Sequence, residues 1–315
     1  MTLTAYVFLT TLFFGIELAY LRLASRLGIF DKPNERSSHT GEPVRGGGIL
    51  FWFAALCAFV YSGLAYPFFF AGLTLVTLLS FLDDLYTLPN RYRLLGQFLG
   101  VWLMLWQTGI WPAEGWVYIP VLVVGVGILN AYNFMDGING ITALYSLITV
   151  GTLWYLQGEQ GNQSLYGFTM IGLLVFTWFN ARRKALCFAG DVGSISMALL
   201  ILFLLYTAII ARQNYLLILL LGVYGVDSVL TILHRLWLGQ NIFQAHRLHL
   251  FQLLVHRLRW PHLRVSALYA GVQVLINALV IWALTEPVAI QIAVAAAILG
   301  LLASLYIGVK RRLMR

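Results

Sequence analysis

Long apolar runs separated by short polar segments fill this chain from end to end. Runs near the length needed to cross a bilayer, about 20 mainly apolar residues, occur at Thr4–Leu21, Gly46–Ala65, Phe68–Leu82, Leu94–Ile110, Val117–Phe134, Ile141–Gln157, Leu165–Asn180, Ile195–Ala211, Tyr215–Leu230, Val265–Leu284 and Pro287–Val309. The pattern predicts an all-α integral membrane protein, a polytopic bundle of eleven transmembrane helices, or ten if the short run Phe68–Leu82 does not cross. Composition agrees. Of 315 residues, 60% are apolar and 10% charged, and the mean hydropathy of +0.83 excludes an ordinary water-soluble domain. The pattern predicts one polytopic domain over residues 1–315, with no soluble domain and no repeat.

Charge sets the expected orientation. Eleven alternating spans place 19 of the 20 basic residues on one side, with Arg212 alone on the other. The positive-inside rule makes the rich side cytoplasmic, so the N-terminus is expected outside and the C-terminus inside. The net charge of +8 is then a topology signal with some attraction for anionic membrane lipids, and no nucleic-acid partner is expected. The first run lacks a basic segment before it and has Arg22 and Arg26 after it, which reads as an anchor rather than a cleaved signal peptide. Two cysteines, Cys57 in a span and Cys187 in a loop, make no disulfide framework.

The expected inner connections, residues 24–45, 83–93, 136–140, 181–193 and 231–264, are the long ones, and all six histidines lie in them. The aspartates also gather there: Asp83, Asp84, Asp136 and Asp191 stand at the ends of apolar runs. Carboxylates at a membrane boundary need partners, and a metal ion or a substrate would supply them.

Five segments carry the chemistry. In the first, Lys32, Arg36, His39 and Arg45 are side chains of phosphate-binding type. Gly46–Gly48 would let backbone N–H groups approach an anion at the next helix start. In the second, Asp83 and Asp84 are adjacent, so on a helix they point in different directions and do different work. In the third, Asn130, Asn133, Asp136 and Asn139 recur every three residues, as polar groups on one helical face emerging from an apolar span. In the fourth, Asp191 lies between Gly190 and Gly193 at a helix start. It is either an N-cap or, with Asp83 or Asp84, a Mg²⁺ site, because that ion takes a few carboxylates plus phosphate oxygens. In the fifth, His246, Arg247 and His249 form a basic turn suited to phosphate, followed by a short amphipathic helix at the interface. Gly125-Val-Gly127 resembles a dinucleotide loop only superficially. It has no strand before it and reads as helix packing.

Taken in order, these five segments resemble the polyprenyl-phosphate N-acetylhexosamine-1-phosphate transferases, glycosyltransferase family 4. That superfamily contains the bacterial GlcNAc-1-phosphate and phospho-MurNAc-pentapeptide transferases. The resemblance runs from Asp31 to about His249. It includes the DKPN…R..H…GG loop, the aspartate pair, N-x-x-N-x-x-D-G, GDVGS and H-x-x-H. It implies a reaction in which a polyprenyl (undecaprenyl) phosphate acceptor attacks a UDP-sugar donor, UMP leaves, and a lipid-linked sugar diphosphate remains.

The resemblance further implies Mg²⁺, with Mn²⁺ as a substitute, held by Asp191 with Asp84 in its shell. It implies a base or nucleophile-positioning role for Asp83 and active-site polar roles for Asn133 and Asp136. His249, with His246 and Arg247, becomes the phosphate-contacting loop. A homodimer is compatible with it. Asn139 stands where many relatives have a second aspartate. AHRLH replaces the contiguous histidines of the pentapeptide enzymes, which turns the expectation toward UDP-GlcNAc-type donors and the start of a surface glycan such as O-antigen, at the cytoplasmic face of the inner membrane. The competing reading is a transporter for a nucleotide sugar or other anion. Against it, the carboxylates stand at span ends rather than at the midplane.

Overall fold

The computed structural model describes residues 2–31, 41–109, 118–158, 162–241 and 246–314. Lys32, Arg36 and His39, expected as phosphate contacts, lie outside those residues. Among the described residues the chain forms twelve α-helices and no β-strand. They are α1 (Leu3–Leu27), α2 (Leu50–Tyr61), α3 (Pro67–Tyr86), α4 (Asn90–Gln107), α5 (Tyr118–Met135), α6 (Ile141–Gln157), α7 (Gln163–Asn180), α8 (Gly190–Arg212), α9 (Gly222–Trp237), α10 (Leu250–His256), α11 (His262–Ala283) and α12 (Val288–Met314). Among the described residues each apolar run expected from the sequence contains a helix, including the short one, which is the body of α3. The protein is an all-α polytopic membrane protein. Seven helical segments are long and apolar enough to cross a bilayer: α1, α3, α5, α8, Tyr215–Trp237, α11 and α12.

Local chemistry fixes the ends. The Thr2 side chain accepts the Ala5 amide at the start of α1, and Gly28, at φ 71°, closes that helix in the left-handed conformation. Pro67 opens α3, where its missing N–H is no loss. The ninth run differs from expectation at its start. Tyr215–Leu221 is a 3₁₀ helix, and α9 begins only at Gly222. The buried Gln273 of α11 explains how this survives in lipid. Its amide donates to Leu219 O at 2.9 Å and accepts from Val223 N at 3.1 Å, so the backbone groups at the junction are satisfied. α10 is the short amphipathic helix expected after the histidines.

Helix α8 is the axis of the bundle. In its apolar stretch 72% of residues are buried, against 6% in α12, which faces outward along nearly its whole length. Helices α2, α3, α5 and α6 pack around α8. Gly125 faces Val101 of α4 and Leu202 of α8, where a Cβ would already touch Val101 at 2.8 Å, so its place is helix packing as expected.

At one end of the axis three chain segments cross. Val44 makes β-bridges to both Phe30 and Cys187. Val44 N donates to Leu186 O at 3.2 Å, and Phe188 N donates to Val44 O at 2.9 Å. This crosspiece pins the end of the first loop against the start of α8. The glycines there have a different use from the expected anion cradle. Gly47 N and Gly48 N donate to Phe188 O and Ala189 O, at 2.9 and 3.1 Å. A Cβ on Gly48 would stand 2.3 Å from Gly193 Cα. The glycines therefore let two backbones touch, and the N–H groups of Gly47 and Gly48 are not available to phosphate.

Candidate active site

Helix α3 ends in Asp83 and Asp84, both buried, and their side chains diverge as adjacent helical positions must. Asp84 reaches the start of α8. Its Oδ1 accepts Asp191 N at 3.0 Å, and its Oδ2 accepts Val192 N at 2.9 Å. Helix α8 has no side-chain cap of its own, since its N-cap residue is Ala189. Asp84 supplies the cap from another helix, placing a carboxylate where the helix dipole favours it. A Cβ on Gly190 would lie 2.6 Å from Asp84 Oδ2, so only glycine, here at φ 71°, admits the carboxylate. Arg45 Nε completes the arrangement, 2.9 Å from Asp84 Oδ1 and 3.9 Å from Asp31.

Asp83 faces the other way. Its Oδ1 accepts Leu88 N at 2.6 Å, and its Oδ2 pairs with Arg93 at 3.0 Å. The second guanidinium nitrogen of Arg93 lies 2.9 Å from Asp191 Oδ2. One arginine at the start of α4 thus clamps carboxylates from α3 and α8. Asp191 is therefore not the cap of its own helix. Its side chain is about one-fifth exposed, with its carboxylate held by Arg93.

Asp136 follows directly on α5, within electrostatic reach of Asp191, Asp31 and Arg45. Its Oδ1 accepts the Thr142 hydroxyl at 2.7 Å. Burial pushes its carboxyl from 3.8 up to about 7, against the pull of that hydrogen bond. Asn133, on the same face, donates to Ser194 Oγ of α8 at 3.1 Å.

The rest of the three-residue series does not join them. Asn130 lies a turn deeper and donates to Gln97 of α4 at 2.7 Å. The helical face ends at Met135, the chain turns through Asp136–Gly140, and Asn139 points away. It is buried, donates to Arg182 O at 2.7 Å and meets His262 Nδ1 at 3.1 Å. Its hydrogen-bonding groups tie loops together. The geometry does not support the expected substrate contacts at Asn130 and Asn139.

A second cluster lies beside the first. His249 sits against Phe134, ring centroids 6.2 Å apart, and stacks loosely on His246 at 4.9 Å. Burial and the neighbouring His249 push His246 down to about 3, so it stands as a neutral ring whose Nδ1 accepts Leu248 N at 3.2 Å. Arg247 lies between them in the chain. The Nδ1 of His249 is 3.1 Å from Asp227 Oδ1, both residues almost wholly buried.

Sequence reasoning passed over Asp227 because it lies inside an apolar run. A lone carboxylate within a span was the available signal. Glu17 of α1 gives the same signal: it is fully buried, and its Oε1 accepts the Cys187 thiol at 3.3 Å. Both cysteines are free.

A carboxylate pair held by one cation is the arrangement a divalent ion could occupy. Asp83 and Asp191 fit it, their side chains being close enough to interact directly. Asp84 fits it less well than the sequence led us to expect, because both its oxygens already hold backbone amides and one also holds Arg45. Among the described residues, no three acidic, histidine or cysteine side chains converge as a ready-made metal cluster.

Comparison with known proteins finds relatives of this chain. The glycosyl transferase family 4 profile matches residues 66–209, a segment containing Asp83, Asp84, Asp136 and Asp191. The chain is 28% identical to a probable undecaprenyl-phosphate N-acetylglucosaminyl 1-phosphate transferase of Bacillus subtilis, over 74% of this chain and 72% of that protein. It is 27% identical to a phospho-N-acetylmuramoyl-pentapeptide-transferase of Nitratidesulfovibrio vulgaris, over 72% and 76%. It is 26% identical to an undecaprenyl-phosphate alpha-N-acetylglucosaminyl 1-phosphate transferase of Yersinia pestis, over 74% and 71%.

Proposed function

We propose that this chain, whose residues 66–209 match the glycosyl transferase family 4 profile, transfers an N-acetylhexosamine 1-phosphate from a UDP-sugar to undecaprenyl phosphate, releasing UMP. The observation that carries the reading is the clamp of Asp83 and Asp191 on Arg93, beside Asp84 and Arg45, at one end of a membrane bundle. The reaction replaces one phosphoanhydride with another. Its demand is therefore alignment of two phosphates and neutralisation of their charge. Arg93 and Arg45 offer that charge at the mouth of the carboxylate cluster. The names of the Bacillus and Yersinia relatives support the polyprenyl acceptor and the sugar-1-phosphate product.

Each residue has a part in this reading. Asp83, with one oxygen fixed by Leu88 N, orients the acceptor phosphate. Asp191, with Asp83, is the pair suited to hold Mg²⁺, whose place Arg93 shares. Bound there, the ion would supply Lewis-acid neutralisation of the diphosphate. Asp84 builds the site by fixing the start of α8, a role different from the metal ligand expected of it. Asp136 and Asn133 line the same end from α5, and His249 approaches from the loop before α10. The charge bias of the loops makes this end cytoplasmic, where UDP-sugars are, in the inner membrane.

The donor is the finer question. AHRLH in place of a contiguous histidine cluster favours UDP-GlcNAc or a related UDP-N-acetyl-deoxyhexosamine, and with it the start of a surface glycan such as O-antigen. The Nitratidesulfovibrio relative favours the second reading, a muramoyl-pentapeptide donor and peptidoglycan synthesis.

The test is UMP release by the purified protein in nanodiscs with undecaprenyl phosphate and Mg²⁺, across both donor classes, with Asp191→Asn in parallel. UMP from an N-acetylhexosamine donor, lost in the variant, supports the reading. UMP from the pentapeptide donor alone selects the second. Donor flux into vesicles without UMP from any donor overturns both in favour of transport.

A further inference from the structure

The strongest unassigned feature is the surroundings of Asp227. It is the one carboxylate of α9, buried to 3% exposure, with three donors and the His249 ring aimed at it. Its Oδ2 accepts the Tyr269 hydroxyl at 2.6 Å. Its Oδ1 takes Leu250 N at 3.1 Å, the Thr231 hydroxyl at 3.2 Å and His249 Nδ1 at 3.1 Å. A chain of hydroxyls continues outward: Thr231 bonds Tyr306 at 2.6 Å, and Tyr306 receives Lys310 Nζ. The Tyr269 and Thr231 hydroxyls and the Leu250 amide all donate to its lone pairs. A carboxylate that accepts from all of them favours His249 Nδ1 as a further donor, in competition with the Gln252 amide, which also points at the His249 side chain.

Nε2 is then the remaining hydrogen-bonding atom of the ring. It is buried and has no partner among the described residues. The ring is held by its Nδ1 contact to Asp227. Its main chain is tied by His249 N donating to Gln252 Oε1 at 3.3 Å, and the amide of the next residue, Leu250, is bonded to the same Asp227 oxygen. Phe134 and Phe251 flank it, and Phe134 is two residues before Asp136. A buried imidazole nitrogen without a partner among the described residues is unusual, since buried polar atoms are normally paired.

We propose that Asp227 is a positioning residue: it fixes the tautomer and orientation of His249 so that Nε2 alone meets the phosphate side of the bound donor. The inference rests on the transferase reading for what His249 meets, but not for the dyad. The logic is that of a carboxylate orienting a catalytic imidazole, in which replacing Asp by Asn leaves the shape and gives the wrong tautomer.

The experiment uses full-length protein labelled with ¹⁵N-histidine in nanodiscs, with the His249 resonances assigned by their loss in His249→Gln. The expected wild-type ring has a protonated Nδ1 and an unprotonated Nε2 before donor is added, and the Nε2 signal shifts when UDP-sugar binds. Asp227→Asn is expected to move the proton to Nε2 and to lower kcat by about 10²-fold, with KM for the donor changed less. Asp227→Glu is expected to restore the tautomer and part of kcat. Tyr269→Phe, which removes another donor to the same carboxylate, keeps the Nδ1 proton.

A wild-type proton on Nε2 overturns the proposal, as does Asp227→Asn with an unchanged tautomer or with kcat within about twofold of wild type. If Asp227→Asn does not accumulate as folded protein, the wild-type tautomer and Asp227→Glu decide. Absence of UMP release from every donor in the wild type would sink the transferase reading and the proposed role of Nε2. The tautomer would still decide whether Asp227 orients the ring.

Discussion

Asp84 caps a helix to which it does not belong: its Oδ1 accepts the Asp191 amide at 3.0 Å, joining the end of α3 to the start of α8. The two aspartates therefore act differently despite their proximity. One gives its side chain to architecture. The other gives its backbone to architecture and leaves its side chain for chemistry.

Substitution should separate the two. Asp84→Ala leaves the first amides of α8 and the Arg45 guanidinium without their acceptor. Breaking a buried charged contact of this kind costs about 3 kcal/mol, so the apparent Tm is expected to fall by several degrees along with turnover. Asp191→Asn keeps the backbone contact and is expected to lose turnover by about 10²-fold or more while its Tm stays within about 2 °C of wild type. Thermal unfolding in detergent beside UMP release checks both. Equal Tm losses would remove the division of labour.

Arg93 gives a second test. It bridges Asp83 at 3.0 Å and Asp191 at 2.9 Å, the pair proposed for Mg²⁺. Arg93→Gln removes the competing cation and leaves two carboxylates facing each other. Mg²⁺ is then expected to raise Tm more in the variant than in the wild type, by the linkage between ligand binding and stability, while turnover falls. A Mg²⁺-induced Tm shift identical in both proteins would place the ion elsewhere.

The buried Asp136 makes stability depend on pH. The native carboxyl keeps its proton up to about 7, whereas the unfolded chain releases it near 3.8. Its stabilising contribution is thus fully present below 3.8 and is lost as pH rises through about 7. Asp136→Asn cannot titrate, so the curve of Tm against pH between these values should be flatter in the variant. Parallel curves would mean that Asp136 is already ionised in the folded protein.

Close backbone approach can be tested by adding one methyl group. Gly48→Ala would place a Cβ 2.3 Å from Gly193 Cα, and overpacking of this kind costs about 1–3 kcal/mol. Gly127→Ala, on α5, meets nothing within 4 Å and should be neutral or slightly stabilising. Melting temperatures of the two variants provide the comparison, and a Gly48→Ala protein as stable as wild type would show that the crosspiece can spread.

The helices were legible because hydropathy is local: each run carries its own evidence, and the exclusion of backbone polar groups from lipid leaves the helix as the available form. The 3₁₀ entry to α9 was not legible, because Gln273, which stabilises it, lies 50 residues downstream of Val223. Asp83, Asp136 and Asp191 were found because carboxylates at span ends are conspicuous. Their partners were not, since Arg93 looked like one more cytoplasmic charge. The three-residue asparagine series misled at Asn139 because spacing assumes an unbroken helix, and Gly140, at φ 82°, marks the break. Asp227 was hidden by its neighbours' hydrophobicity, although that concealment was itself the clue.

The cap between α3 and α8 also bears on how the protein is made. Asp84 is synthesised 107 residues before the amide it receives. Throughout that interval a helix tip with two carboxylates has to wait at the membrane surface, hydrated, while the four helices α4 to α7 are made. The site is therefore a late product of biogenesis. A nascent chain arrested before α8 would already join Asp83 to Arg93 but would lack Asp191, the residue that ties both to α8.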